Sequence, residues 1–483
     1  MTEQKLADHR ERDSLAEAGS LSGGDGSGFW RLLAPGIKLI LIKGPPGSGK
    51  TTLAARLFDY VESAAYISTR VGLEKLSNQN LPLKHLESKK EQFREVTLVS
   101  KRVSYEDARL NFATDALKHV IEAASAKKDL IVLDAWDTIA KEMERVDRLK
   151  TEKAMAAFID ESASRLVFIS EEPELTSTDY LADAIISLSY VKIPDGRRVR
   201  RITWEKLRGQ PLYDRRSIYT LKDGVFTVFA KPKIHQNNGY RSMGKFPSPT
   251  PNTPTHFSTG SKDLDEFFGG GLKRGSFIVV EEGRTVGCDW HTPIYTLITL
   301  NFLLNGGTCL IVPSSQTTPE MILDGLSPYV DDQLLKSRVR ISSYIKSIDH
   351  PSIVSLEGLS TNEAYEAQQK TALHIKGDNH LPTLWLLSMD TYETFSRGDA
   401  GNLPSYMARG TAQLRQYGDV TMMLAKSSTK NLQIISDNCD LHIKLEEVDG
   451  CLVMFAKRPP SSPYGVSFDF SKGYPGVLLT RVM

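Results

Sequence analysis

The chain has 483 residues, more than a single hydrophobic core ordinarily serves, so two domains of about 200 to 230 residues with tails are expected. Its 60 lysines and arginines nearly balance 59 aspartates and glutamates, so no global field draws it to nucleic acid or to an anionic membrane. Cys288, Cys309, Cys439 and Cys451 show no zinc-type spacing and fit reduced thiols in a cytoplasmic protein, and no apolar run approaches the roughly 18 residues of a membrane span.

Residues 1–28 are polar, then Gly/Ser-rich, and read as a disordered tail without a signal peptide. An apolar run at 38–42 predicts a strand, and Leu53, Leu57, Tyr60 and Val61 predict a helix over 52–62. Between them lies Gly44, Pro45, Pro46, Gly47, Ser48, Gly49, Lys50, Thr51, Thr52, a phosphate-binding P-loop in its strand-loop-helix context. The glycines let successive N–H groups turn toward one anion, and the helix adds its positive end. Lys50 brings a mobile charge to the β- and γ-phosphates, and Thr51 offers a hydroxyl to Mg2+.

Further strands are predicted at 64–68, 96–100, 130–133, 166–170 and 184–188, with helices over 107–126 and 151–162. This alternation is that of a mostly parallel sheet flanked by helices. Runs at 199–207, 218–220 and 225–229 read as antiparallel hairpins closing the domain at 233.

A triphosphatase needs a second carboxylate near Mg2+, usually at the tip of a buried strand next to the P-loop strand. Asp134, ending Leu130-Ile131-Val132-Leu133, fits; a helix cap is its plain alternative. Asp137 either serves the attacking water or caps the next helix. The strand at 64–68 ends in Thr69-Arg70, with no carboxylate to act as base, so turnover should be slow unless Asp137, Glu171 or a partner substitutes. Ser170-Glu171 either senses the γ-phosphate or caps.

The most charged tract runs from Arg197 to Arg208, followed by Arg215-Arg216. Period-2 alternation would place Arg198, Arg200, Ile202, Trp204, Lys206 and Arg208 on one face. A solvated edge strand is one reading; Lys206 and Arg208 reaching a neighbouring subunit's phosphate, or a cluster meeting a nucleic acid or acidic partner, are the others.

The stretch 234–254, rich in Pro, Ser, Thr, Asn and Gly, is the expected linker. The second half, 255–483, starts again with Phe257-Ser258-Thr259-Gly260, Leu264-Asp265 and Gly269-Gly270-Gly271-Leu272, and a strand at 277–280 runs into Glu282-Gly283. Where a P-loop would carry Gly-Lys-Thr it has Cys288, Asp289 and Trp290, which repel phosphate and offer magnesium no hydroxyl. A diverged repeat that has lost triphosphate chemistry is expected; an unrelated α/β domain is the alternative.

Together the P-loop, Asp134, the Lys206-Leu207-Arg208-Gly209 motif and the opening of the second half resemble the RecA-superfamily ATPases of the KaiC type. Within that group, the tract Tyr66 to Val71, the intact-then-degenerate order and the arginine-rich segment resemble the archaeal gas vesicle regulator family GvpD. The resemblance implies an α/β fold of two tandem RecA-like P-loop NTPase domains, the second degenerate. It implies ATP and Mg2+ as cofactors, Lys50 as phosphate lysine, Thr51 and Asp134 as metal ligands, and Lys206 with Arg208 as a trans-acting catalytic pair in a ring-forming homo-oligomer. Thr69-Arg70 departs from the glutamate pair of KaiC-like proteins, and the second half reads Lys457-Arg458-Pro459-Pro460 at its tail motif, with Asp390 two residues beyond the strand tip at Ser388.

The reading is a cytoplasmic ATP-binding regulatory protein with a slow ATPase in its first domain, the second serving assembly or contact with a regulatory protein partner. A DNA-stimulated recombinase-like ATPase and a non-hydrolysing pseudoenzyme are its rivals; nucleic acid is disfavoured by the charge balance.

Overall fold

Apolar runs without alternation mark strands covered on both faces, and such runs form the centre of each sheet here. The computed structural model describes residues 28–70, 94–98, 101–107, 113–229, 231, 246, 248–345, 348–395 and 403–482. The expected tail and most of the expected linker lie outside them. The chain divides into two units, one reaching Lys231 and one spanning Pro232–Arg481.

The first unit contains β1 (Leu39–Lys43), β2 (Ser63–Ser68), β3 (Arg94–Leu98), β4 (Lys101–Asp107), β5 (Leu130–Asp134), β6 (Arg165–Ser170), β7 (Ala184–Lys192), β8 (Arg198–Leu207), β9 (Arg216–Thr220) and β10 (Thr227–Val228). They form one sheet in the order β10-β9-β8-β7-β1-β6-β5-β2-β4-β3. The six strands from β7 to β4 in that order run parallel; β3, β8, β9 and β10 are antiparallel additions. Helices α1 (Lys50–Leu57), α2 (Ala113–Ser125), α3 (Trp136–Ala140), α4 (Arg145–Glu161) and α5 (Ser177–Leu181) connect them. One core gathers Leu53, Leu57 and Tyr66 on the α1 face; the other packs Val120, Met155 and Ile159 of α2 and α4 against Leu41, Ile131 and Phe168.

Several boundaries differ from the sequence expectation. The helix expected over 107–126 is described from Ala113 to Ser125, and its expected first residue instead ends a strand, Lys101–Asp107, beside β2. The first helix stops at Leu57 and tightens into a 3-10 turn at Phe58–Tyr60, and α4 begins six residues before 151. Helices α3 and α5 span five residues each, too short for periodicity to reveal. The strand carrying Asp134 is not next to the P-loop strand: β6 lies between β5 and β1.

A buried carboxyl ties the helices together. Glu152 of α4, fully buried, accepts from Trp136 Nε1 at 2.7 Å, Arg148 Nε at 2.9 Å and Thr178 Oγ1 at 3.0 Å, and from the Ser177 hydroxyl. Removing it leaves several buried donors unmatched, so Glu152→Ala is expected to lower stability by about 3 kcal/mol in urea unfolding. A loss below about 1 kcal/mol would show that the donors find other acceptors.

The second unit contains β11 (His256–Phe257), β12 (Leu272–Lys273), β13 (Phe277–Glu282), β14 (Thr308–Val312), β15 (Val339–Ser343), β16 (Ile353–Ser355), β17 (Thr383–Ser388), β18 (Val420–Lys426), β19 (Leu441–Val448), β20 (Cys451–Arg458), β21 (Tyr464–Asp469) and β22 (Gly476–Arg481). Its helices are α6 (Lys262–Phe267), α7 (Cys288–Leu304), α8 (Pro319–Leu326), α9 (Asp332–Arg338), α10 (Thr361–Lys376), α11 (Met389–Phe395), α12 (Leu403–Tyr417) and α13 (Leu432–Asp437). The large sheet has the order β16-β15-β14-β17-β18-β13-β19-β20-β21-β22. Matching β13 to β1 matches β14 to β2, β17 to β5, β18 to β6, β19 to β7 and β20 to β8, whereas at the edge beyond β2 the chain order is exchanged, β15 taking the place of β4 and β16 that of β3. Two chains of connection with one strand order make the second unit a copy of the first architecture rather than an unrelated α/β domain. The copies differ at one edge, where β16 runs parallel to β15 but β3 runs antiparallel to β4.

Candidate functional site

The loop between β1 and α1 turns tightly against its neighbours. Gly44 donates its N–H to the Ser170 carbonyl at 3.2 Å, and a Cβ on Gly44 would stand 2.7 Å from the Leu188 carbonyl oxygen, so a side chain there is excluded. Gly49, with φ of 90°, caps α1 in a conformation L-residues rarely adopt, and its Cβ would strike Leu221 at 2.7 Å. The first helical bond runs from Leu53 N to Gly49 O at 2.8 Å, so the amides of Lys50, Thr51 and Thr52 precede any intrahelical acceptor. Ser48 Oγ is fully buried at this bend with no hydrogen-bond partner among the described residues. A tight glycine loop, an unsatisfied buried hydroxyl and a helix N-terminus fit a phosphate group.

Across the sheet, Asp134 at the tip of β5 accepts from Thr51 Oγ1 at 2.7 Å and from the Tyr66 hydroxyl. The two expected magnesium ligands are therefore in contact despite the intervening strand, because β6 ends in Ser170 and leaves the space above it to the loop. The Asp134–Ala135 peptide is cis. Thr69 holds the chain after β5: its hydroxyl donates to the Ala135 carbonyl at 2.8 Å and accepts the Ala135 amide at 2.9 Å. A carboxylate and a hydroxyl facing one point suit a hard divalent cation such as Mg2+. Tyr66, buried in β2, entered the sequence reading only as the start of a family tract and not as a site residue; burial, then the neighbouring Asp134, pushes its phenol well above the usual range.

Lys50 Nζ donates to the Gly44 carbonyl at 2.8 Å and the Pro45 carbonyl at 3.0 Å, and lies 3.5 Å from Glu171 Oε1. Burial holds this ammonium below the ordinary lysine range, against the pull of Glu171. Glu171 also meets Arg70 Nη1 at 2.7 Å. Burial alone would raise its carboxyl, but the hydrogen bond from Arg70 and the charges of Lys50 and Arg70 bring it below its ordinary value. Glu171 thus pairs with both the P-loop lysine and Arg70; the sequence left it open between substituting for the missing base, sensing the γ-phosphate and capping.

Asp137, 3 % exposed, accepts the Glu171 amide. Burial raises its carboxyl above the ordinary aspartate value, against the Glu171 amide and Ser170 hydroxyl, which lower it. A folded-state pKa above the unfolded one contributes stability that is present below the unfolded value and lost as pH rises through the folded value. Asp137→Asn keeps an acceptor for the amide without the buried charge. It is expected to melt higher than the parent near pH 7, with the gap closing near pH 4. A gap of the same size at both pH values would contradict a buried titrating carboxyl.

The basic strand does not keep the expected alternation. The β7–β8 pairing shifts register between Ile185 and Ile186, where Glu205 is the extra residue. Ile202, Trp204 and Leu207 consequently share the core, and Lys206 and Arg208 leave the face of Trp204. Both lie where Leu207 pairs with Ala184, which pairs with Ile40, at the opposite edge of the sheet from the P-loop. Lys206 Nζ donates to the Tyr180 carbonyl at 3.3 Å, and partial burial, then Arg208, lowers its pKa; Arg208 Nη1 meets Asp183 at 2.8 Å. The cation of this strand that reaches the P-loop is Arg200, whose Nη1 donates to the Gly47 carbonyl and to the Tyr190 hydroxyl, each at 2.9 Å. Tyr219 donates to the Ser48 carbonyl at 2.5 Å. Arg200 and the hairpins of its tract were visible in the sequence, but the contact of Arg200 with Gly47 was not.

At the matching place in the second unit, β13 ends in Glu281 and Glu282, both buried, where β1 ends in Lys43. Glu281 accepts from His442 at 2.9 Å, Lys444 at 2.7 Å and Lys457 at 2.9 Å; burial would raise it, yet these donors hold it well below the carboxylate range. Glu282 pairs with His291. Trp290, which the sequence sets opposite Thr51 and which is the third residue of α7, packs on the core. Asp390 is occupied by the Ser315 amide at 3.0 Å and hydroxyl at 2.6 Å. Carboxylates and an indole at the head of the strand do not fit a triphosphate.

Residues 34–205 match the family model of the GvpD gas vesicle protein P-loop domain. The whole chain is similar to Protein GvpD2 of Halobacterium salinarum (strain ATCC 700922 / JCM 11081 / NRC-1), 24% identical over 472 residues that cover 92% of this chain and 93% of that protein. It is also similar to Protein GvpD1 of the same organism, 22% identical over 515 residues covering 92% and 94%.

Proposed function

We propose that this GvpD-like P-loop protein is a nucleotide-dependent regulator of the gas vesicle type, whose first unit binds ATP with Mg2+ and turns it over slowly. The observation that carries this reading is the 2.7 Å contact between Thr51 and Asp134, two residues 83 positions apart, at the head of a phosphate cradle. Magnesium bound there would neutralise phosphate charge and polarise the bond to be cleaved. Lys50 would leave Glu171 for the phosphate oxygens, and Glu171 with Arg70 would reorganise in response. Because Thr69, Asp134 and Ser170 sit at the ends of adjoining strands around this point, their loops are the elements through which bound state reaches the surface. The second unit would serve assembly or partner contact. Among the described residues no helix is long and apolar enough to cross a membrane.

Single-turnover phosphate release from the full chain tests hydrolysis. Slow release dependent on Mg2+ supports it. The second reading, a protein that holds ATP without cleaving it, is favoured by the absence of a carboxylate at Thr69-Arg70 and by the engagement of Glu171 with two cations; stable, uncleaved ATP over many hours would select it.

Lys206 and Arg208 engage Tyr180 and Asp183 rather than the loop of residues 44–51, and in this reading they would act on a phosphate of a neighbouring copy. Replacing both with alanine is expected to slow hydrolysis more than it weakens ATP binding. Equal losses of both, in a protein that stays monomeric with ATP, would reduce the pair to its contacts with Tyr180 and Asp183.

A further inference from the structure

The two units use the same pair of helices on the sheet face opposite the P-loop helix, and they use them differently. In the first unit α2 and α4 pack on each other, with Ala116, Val120, Met155 and Ile159 closing the space. Their counterparts by connection in the second unit are α10 and α12, and between these lies a cavity of about 390 Å³. Its floor is Phe277, Trp385 and Met423 of the sheet, all buried. Tyr365 and Tyr406, with ring centroids 5.2 Å apart, and Tyr392 and Tyr417 form its walls. A volume in this range, apolar with a few polar edges, has the dimensions of a small-molecule site.

Charge narrows the occupant. The two ionic groups at depth, Lys376 and Asp419, neutralise each other at 2.6 and 2.7 Å, and Lys376 lies 4.8 Å above the Tyr417 ring. Glu393 and Lys430 are exposed at the rim. Among the described residues no charge is left at depth to hold a phosphate or carboxylate, so the nucleotide of the first unit does not suit this cavity. Aromatic rings on several sides favour a flat ring stacked or edge-on against them over a flexible chain. Gln368 and Gln413, bonded to Tyr392 at 3.0 Å and Tyr365 at 3.4 Å, supply polar edges.

We infer that this cavity of the second unit is a binding site for a neutral, planar ring compound. The duplicated architecture would then carry an anion site in one copy and an uncharged-ligand site in the other. Gly410 of α12 lines the cavity, and a Cβ there would meet no atom within 4 Å, so larger side chains can enter the empty space without displacing the fold. They also improve helix propensity at that position.

The test uses the full chain and the neutral dye N-phenyl-1-naphthylamine, which brightens in apolar surroundings. Saturable binding of one dye per chain is expected, displaced by 1-naphthol, with a rise in melting temperature. Gly410→Leu should weaken dye binding about tenfold or more, leave ATP binding unchanged and remove the thermal shift, whereas Gly410→Ala should bind within about twofold of the parent. Energy transfer from tryptophan to the dye should fall in Trp385→Phe, a readout that stands if the leucine variant folds poorly. Dye binding that fails to saturate, that survives Gly410→Leu in a folded protein, or that yields to dodecanoate but not to 1-naphthol would overturn the proposal.

Discussion

Replacing Lys50 with alanine is expected to weaken ATP binding by about a hundredfold, the equivalent of roughly 3 kcal/mol for a charge-assisted contact to phosphate. The ammonium is buried, its carbonyl partners are those of its own loop, and its companion Glu171 is 3.5 Å away. Desolvation of this kind makes an exchange of Glu171 for a multiply charged phosphate strongly favourable. The fold should persist, because α1 keeps Leu53 and Leu57 in the core and alanine is a good helix former. Calorimetry with ATP and a thermal melt of the same sample measure both parts. An unchanged affinity would mean that the loop of residues 44–51 is not the nucleotide site.

The second large effect is expected at Asp134. Asparagine keeps an oxygen for the Thr51 and Tyr66 hydroxyls, so the variant should fold, but it removes the charge that would hold magnesium. Hydrolysis should fall about a hundredfold or more, and the gain in ATP affinity on adding magnesium should shrink toward none. Alanine is the harsher change. It would leave the buried Tyr66 hydroxyl without its acceptor and is expected to lower stability by a further 1 to 3 kcal/mol or so. Wild-type turnover in Asp134→Asn would assign the metal to another group.

The parts of this site that lie within a few residues of one another could be read from the chain alone. Gly44 to Thr51 carries its own strand and helix, and the continuous apolar run before Asp134 marks a central strand whose tip faces the ligand edge. Strand neighbours could not be read: β6 stands between β1 and β5 because its crossover returns through the middle of the sheet. The alternation of the basic strand was misleading for a similar reason, since a one-residue bulge at Glu205 is invisible to a period-2 count. Short segments were ambiguous; Lys101–Asp107 continues as readily into a helix pattern as into a strand. What stayed hidden altogether were polar contacts made over long separations. Glu171 with Arg70, Glu152 with Trp136 and Thr178, and Glu281 with His442, Lys444 and Lys457 are pairings of residues with no local signature. In the second unit the degenerate loop was legible as a loss, whereas the carboxylates that replace Lys43 were seen only once the strands were aligned.

The asymmetry between the two units is open to a direct count. Titrating the full chain with ATP and magnesium in a calorimeter should give one equivalent bound per chain, and Lys50→Ala should weaken that single event about a hundredfold. Two equivalents, or one of unchanged affinity in the Lys50→Ala protein, would contradict a triphosphate site confined to the first unit.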